Sequence, residues 1–290
     1  MRRAAWMLAA ALGLAVPASR AIDFGSILNK AIDTGKQLHD ANREFTTEEE
    51  VALGEGLASG FLGAAPLAKD ANLQRYVNRV GKWLALHSDR PDLPWTFGVV
   101  ETDTVNAFAM PGGTVLITRG LVKRLSSEAE LAGALSHEIA HVVLKHQLKA
   151  IQSDKNSEAF ASLGKGLAGE AIARRGSDPV GLKSWGANAG VELLKNGVFL
   201  RPLDRSMEYE ADKLGVVIAA RSGYDPYGLV GVLEMLAQVK SDGSGLSVLD
   251  THPAPADRLA ELEGFVPDVE KRVREPQALE ARFRKTVGAQ

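Results

Sequence analysis

The stretch Leu135–Gln147, LSHEIAHVVLKHQ, carries three of the six histidines of a 290-residue chain that has no cysteine. In a helix each residue advances by about 100°, so His137 and His141 share a face and can offer a ring nitrogen each to one ion. Glu138 stands beside them, placed to take a proton from water rather than to bind the ion. This is the H-E-x-x-H arrangement of zinc peptidases. His146 lies nine residues after His137, about half a turn round a continuous helix, and is expected to face away. A metzincin would need a glycine at position 144 and a histidine at position 147, where Leu144 and Gln147 stand instead.

A catalytic zinc takes three protein ligands and keeps one position open. Thiolate is excluded, so the third ligand must be a distant carboxylate or histidine. The segment SMEYEAD, Ser206–Asp212, puts Glu208 and Asp212 on one helical face while Glu210 projects elsewhere. Glu208 as ligand and Asp212 as acceptor from a ligating imidazole N–H would make a His2Glu site with an oriented ring. Two ordinary surface acids would have the same spacing, and spacing alone leaves both readings open. One Zn2+ per chain is the expected cofactor, since this ligand set suits zinc ahead of other divalent ions.

The elements that must position these residues are mostly helical. Thr47 and Glu50 form the pattern of a capping box, as do Ser127 and Glu130, the second launching the apolar helix that carries the histidines. Behind Asp70 as N-cap, Leu73, Val77, Val80 and Leu84 fall at helical spacing. Trp95–Thr102 reads as a strand, and two short apolar runs joined by Pro111, Gly112 and Gly113 read as a hairpin. Its strands are the candidate substrate site, Asn106, Ala107, Phe108 and Ala109 in particular, because an exposed edge offers main-chain hydrogen bonds to an extended peptide of any sequence. Trp83, Trp95 and Phe97 are expected in the core. Further helices are expected from about Leu203 to Gly223 and after Asp225, and a last short one near Phe265. The Gly/Ala-rich Ser157–Gly197 and the SDGSGLS connection read as loosely structured.

Composition narrows the function classes. Hydrophobic residues make up 45% of the chain and charged ones 24%, enough for one large core, while a net charge of −2 without a basic block offers no footprint for nucleic acid. Arg2 and Arg3 precede the apolar run Ala4–Val16 and the small residues near Ala18 and Ala21, the pattern of a cleavable secretory signal. No other run reaches the ~18 apolar residues of a membrane span, so the mature chain is expected to have no transmembrane segment. The expected organisation is a signal peptide over 1–21, a leader over 22–45, a catalytic domain over 46–266 and a peripheral charged tail over 267–290. The expected location is the periplasm, without a lipid anchor because there is no cysteine; outer-membrane association and oligomeric state stay open.

The sets NAFAMPGG, HEIAHVVLKH, EYEAD and HPAPADR, in this order between Thr47 and Phe265, resemble the zinc metallopeptidase family of the CaaX prenyl proteases, HtpX, LoiP and BepA, and the soluble periplasmic branch fits best. The resemblance implies an α+β fold, mostly helical and of gluzincin type, with a small sheet beside the H-E-x-x-H helix. It implies an endopeptidase in which Glu208 is the third ligand, Asp212 supports the site and Glu138 is the general base. Its substrates would be unfolded or misassembled envelope proteins. His252, from HPAPADR, would occupy the fourth metal position and hold the enzyme latent. Arg258, from the same element, would either donate to the developing oxyanion or hold Glu208 and Asp212 in place. A chaperone-like assembly factor on the same zinc fold is the rival reading, with a hydrolase of non-peptide amides or esters behind it.

Overall fold

The computed structural model describes residues 45–152, 202–239, 247–248 and 252–288. The signal-like stretch, the leader before Phe45, the Gly/Ala-rich segment and most of SDGSGLS lie outside the described residues. The chain begins with helix α1 (Thr47–Ala64) and helix α2 (Ala71–Leu86). Asp70 caps α2 as expected, its Oδ1 accepting from the N–H groups of Asn72 and Leu73 at 3.0 Å each, and Leu73, Val77, Val80 and Leu84 are buried. The capping box expected at Thr47 takes another form. The Glu50 carboxylate is buried and accepts two 2.8 Å bonds from Arg90, a charge-assisted fork that uses both oxygens. Arg90 also donates to the Val142 carbonyl at 3.3 Å, so the pair ties α1 to the end of the histidine helix.

Three strands follow: β1 (Thr96–Val100), β2 (Ala107–Met110) and β3 (Thr114–Thr118). The sheet order is β1-β3-β2, with β1 parallel to β3 and β2 antiparallel to it. The hairpin β2–β3 forms as expected. Its connection is a 3-10 turn at Pro111–Gly113, where Gly112 (φ 78°) and Gly113 (φ 105°) adopt left-handed conformations that favour glycine. After the short helix α3 (Arg119–Val122), helix α4 (Glu128–Val143) runs through the middle of the molecule. Ser127 Oγ accepts from the Glu130 N–H at 3.1 Å, and the Glu130 carboxylate reaches back to the Ser126 N–H at 2.6 Å, one residue beyond the N-cap that the expected reciprocal bond would use. Leu131, Leu135 and Ile139 of α4 are fully buried.

Helix α4 ends where a continuous helix was expected. Lys145 takes φ 58°, and a separate helix, α5 (His146–Gln152), starts beyond it. Helices α6 (Arg205–Arg221) and α7 (Gly228–Leu236) pack on α4. Contact is close enough that small residues are required. A Cβ on Gly215 would lie 3.0 Å from the His137 nitrogen, and one on Gly133 would lie 2.5 Å from the Leu229 nitrogen. The α6 backbone therefore lies directly against the backbone of the first candidate ligand.

Helices α8 (Pro255–Leu262), α9 (Val266–Glu270) and α10 (Glu280–Val287) complete the fold. The expected peripheral tail is exposed over most of its length but is anchored to the core by an apolar residue and by a partner for a buried charge. Phe283 is buried, the Ala129 N–H donates to the Ala278 carbonyl at 3.1 Å, and Arg282 pairs with the buried Glu128 at the start of α4. Tyr76 of α2 and Tyr224 also donate to that carboxylate, at 2.6 and 2.8 Å. Trp95 and Phe97 are in the core as expected, whereas Trp83 is 49% exposed, its indole N–H bonded to the Ser222 carbonyl. No helix among the described residues is long and apolar enough to cross a membrane.

Candidate metal centre

His137 and His141, one turn apart on α4, project toward α6 and bring their Nε2 atoms to 3.0 Å from each other. Glu208, in the first turn of α6, faces both. Its Oε2 is 3.6 Å from His137 Nε2, and its Oε1 is 3.5 Å from His141 Nε2. His252 comes from the segment before α8 and puts Nδ1 2.7 Å from Glu208 Oε2. One donor atom from each of these four residues lies within 4.8 Å of the other three.

The electrostatics suit a cation. Burial holds the His141 ring well below its usual range, so it is neutral with a lone pair to give. Burial pushes the Glu208 carboxyl up, but His252, His141 and His137 outweigh this and hold it well below the usual carboxylate range. Burial likewise pulls the His252 ring down, and the Glu208 carboxylate outweighs it and raises its pKa. Among the described residues, Glu208 Oε1 is buried with no hydrogen-bond partner. A buried anionic oxygen left unpaired is costly, and the His137 and His141 ring nitrogens turned toward each other beside it at 3.0 Å form a donor set that one shared cation would engage. The donor set of imidazoles and one carboxylate, with no thiolate, fits zinc.

Around the donors lies a supporting layer. Asp212, one turn after Glu208 and fully buried, places Oδ1 2.9 Å from His137 Nδ1. Arg258 of α8 grips the same carboxylate with Nε at 2.8 Å and Nη2 at 2.5 Å. Burial raises the Asp212 carboxyl, but the Arg258 guanidinium and the His137 bond outweigh it and keep Asp212 ionised. An ionised Asp212 requires the His137 proton on Nδ1, which leaves Nε2 free toward Glu208. The 3.3 Å approach of Arg258 Nη2 to the same Nδ1 is then packing, since a protonated nitrogen cannot accept. Of the two roles open for Arg258, this geometry supports holding Asp212. Its Nη1 lies 3.8 Å from Glu208 Oε2.

Glu138 is buried on the same helix, outside the set of four. Burial raises its pKa against the opposing influence of His137 and His252. The expected substrate strand departs from its description. Asn106, Ala107, Phe108 and Ala109 are all buried rather than exposed, because α4 and α1 pack against β2, with Phe61 of α1 on Phe108 at 4.6 Å between ring centroids. Asn106 accepts the Ala107 N–H on its own Oδ1 at 2.8 Å, and its carbonyl takes the Thr118 N–H. What β2 retains is its place at the edge of the sheet.

His146 is the residue that helical spacing misplaces. With α4 ended at Val143 and the chain reversed at Lys145, His146 returns toward the site, fully buried, with Nδ1 3.0 Å from His141 Nδ1. Glu210, read as projecting elsewhere, is 3.4 Å from His146 Nε2. No turn residue in VVLKHQ announces the reversal.

Residues 71–266 match the model of peptidase family M48. The chain is similar to the beta-barrel assembly-enhancing protease of Escherichia coli strain K12, 29% identical over 247 residues that make up 83% of this chain and 49% of that protein. It is also similar to the mitochondrial metalloendopeptidase OMA1 of Schizosaccharomyces pombe, 29% identical over 67% of this chain and 53% of that one. The metalloprotease YcaL of Escherichia coli strain K12 is 27% identical over 79% of this chain and 84% of its own length. The chain thus spans about half the length of the first two relatives and most of the third. With its matched region covering the whole histidine, glutamate and arginine constellation, the chain belongs to peptidase family M48.

Proposed function

We propose that the protein is a zinc-dependent endopeptidase of the bacterial cell envelope that cleaves unfolded or misassembled proteins. The observation that carries this reading is the convergence of His137, His141, Glu208 and His252 on one point beside the buried Glu138. His137, His141 and Glu208 would hold one zinc ion. When bound, zinc polarises a water and a substrate carbonyl and brings the water's pKa toward neutrality. Glu138 takes the proton of the attacking water on a carboxylate oxygen and returns it to the nitrogen of the leaving amine. Its raised pKa suits a group that must accept and then release a proton. Asp212 orients His137, and Arg258 holds Asp212.

Substrate would lie as an extended chain along the outer edge of β2 beside Asn106–Ala109, where main-chain recognition suits cleavage with loose sequence preference. His252 supports a latent resting state. It is partly buried beside Glu208, where it would fill the fourth position, and its N–H donates to the carbonyl of Val248, whose own N–H bonds the Val105 carbonyl just before β2 at 3.0 Å. The location in the periplasm rests on the basic and apolar N-terminal stretch, together with relatives named for barrel assembly. Casein cleavage by the wild type and by Glu138→Gln, each with and without chelator, tests the assignment. Only the untreated wild type is expected to cleave, and equal rates in all samples would overturn it.

A further inference from the structure

The two histidines of the H-E-x-x-H pair are each held at the ring nitrogen that points away from the cluster, but by different groups. His137 Nδ1 meets Asp212 Oδ1 at 2.9 Å, whereas His141 Nδ1 meets another imidazole, His146 Nδ1, at 3.0 Å. The two rings stand nearly edge to face, at 72° with centroids 5.1 Å apart, and both are buried. Only one proton fits between two Nδ1 atoms at that distance. If His146 carried it, His141 would have to carry its own proton on Nε2, the atom that faces Glu208 and His137. If His141 carries it, Nε2 has a lone pair for a metal, and His146 must place its proton on Nε2, where the Glu210 carboxylate lies 3.4 Å away.

We infer that His146 is the positioning residue of His141: it accepts the Nδ1–H of His141, fixes that ring's orientation and tautomer, and is itself held in the accepting tautomer by Glu210. The inference rests on the metal reading above and extends it to two residues outside the ligand set. The left-handed turn at Lys145 is what makes it possible, since it brings His146 back onto the His141 ring five residues earlier instead of leaving it to face away as on a continuous helix. An imidazole acceptor also adds no charge beside His141, in contrast to the Asp212 carboxylate with its own Arg258 counter-ion behind His137.

The test compares zinc dissociation constants, by competition with a chromophoric chelator, for the full chain and for His146→Leu and His146→Asn. The Asn side chain keeps an acceptor near the position of the imidazole Nδ1, and Leu keeps only bulk. His146→Leu is expected to bind zinc about 10–100-fold more weakly, the usual loss for a supporting partner of a ligand histidine, with His146→Asn much nearer the wild type. Equal weakening in both variants, or none in His146→Leu, overturns the assignment while wild-type binding leaves the metal reading intact. A wild type that binds no zinc overturns both. Long-range 1H–15N spectra of the zinc-loaded wild type give a second readout that needs no variant to fold. They should show His141 protonated at Nδ1 and His146 at Nε2, and a His146 protonated at Nδ1 overturns the inference.

Discussion

Asp212 Oδ1 sits 2.9 Å from Nδ1 of His137, on the side of the ring opposite the nitrogen that faces Glu208. Because Arg258 keeps Asp212 ionised, this contact decides where the His137 proton resides before any metal arrives. Asp212→Asn retains an oxygen at that place and removes the charge. It is expected to weaken zinc binding by about 10–100-fold with little change in the far-UV signature of the fold. A chelator competition titration measures this, and an unchanged dissociation constant would show that Asp212 serves only the Arg258 ion pair.

His252 competes for the same carboxylate oxygen that faces His137, at 2.7 Å from Glu208 Oε2. If it closes the site, His252→Ala opens one position and should raise the initial rate of casein cleavage while leaving one zinc per chain. A variant that is no more active than the wild type at full zinc occupancy would remove latency from the reading. Loss of zinc together with activity would instead make His252 an ordinary ligand.

Much of this site is legible in the sequence because its parts obey local rules. His137, Glu138 and His141 follow from helical spacing inside an apolar run, whereas the spacing of Glu208 and Asp212 puts them on one face of a second helix and only the resemblance carried by EYEAD singles out Glu208 as the third ligand. The Asp70 cap and the hairpin at Pro111–Gly113 follow from turn and capping chemistry. What the sequence hides is decided by tertiary contacts. His146 depends on a single left-handed residue, Lys145, of a type that does not ordinarily mark a turn. Glu50 fits a capping box locally and is drawn to Arg90, forty residues away. The 267–288 segment is polar along most of its length, and its anchoring to the core rests on Phe283, the Arg282–Glu128 pair and the Ala278 carbonyl, which only the structure brings together.

Gly215 offers a test of how closely α6 must approach α4. Replacing a glycine inside a free helix with alanine stabilises by about 1 kcal/mol. Here the added Cβ would stand 3.0 Å from the His137 nitrogen and 3.1 Å from its Cα, both backbone atoms that cannot rotate away. Overpacking of that kind costs about 1–3 kcal/mol, so Gly215→Ala is expected to lower the thermal midpoint. Since Glu208 lies two turns earlier on the same helix, zinc affinity should fall with it. A midpoint above that of the wild type would mean the helices part without cost.

The buried Glu128 joins the C-terminal helix to the start of the catalytic helix, and its ionisation should be visible in stability against pH. Burial raises its pKa, but the bonds from Arg282, Tyr76 and Tyr224 outweigh burial and hold it below its usual 4.5. A carboxyl depressed in the folded state contributes stability above its unfolded pKa, and that contribution is lost as pH falls through the folded value. Arg282→Ala should therefore destabilise the protein at pH 7, by about 1–2 kcal/mol, between an exposed ion pair and a buried charged hydrogen bond. The gap between wild type and variant should stay constant from pH 7 to about pH 5 and narrow below it. Urea denaturation of the two proteins across that range, in the metal-free form so that zinc release does not intrude, measures the difference. A gap that stays unchanged well below about pH 4 would mean that Arg282 contributes through packing rather than through an ionised Glu128.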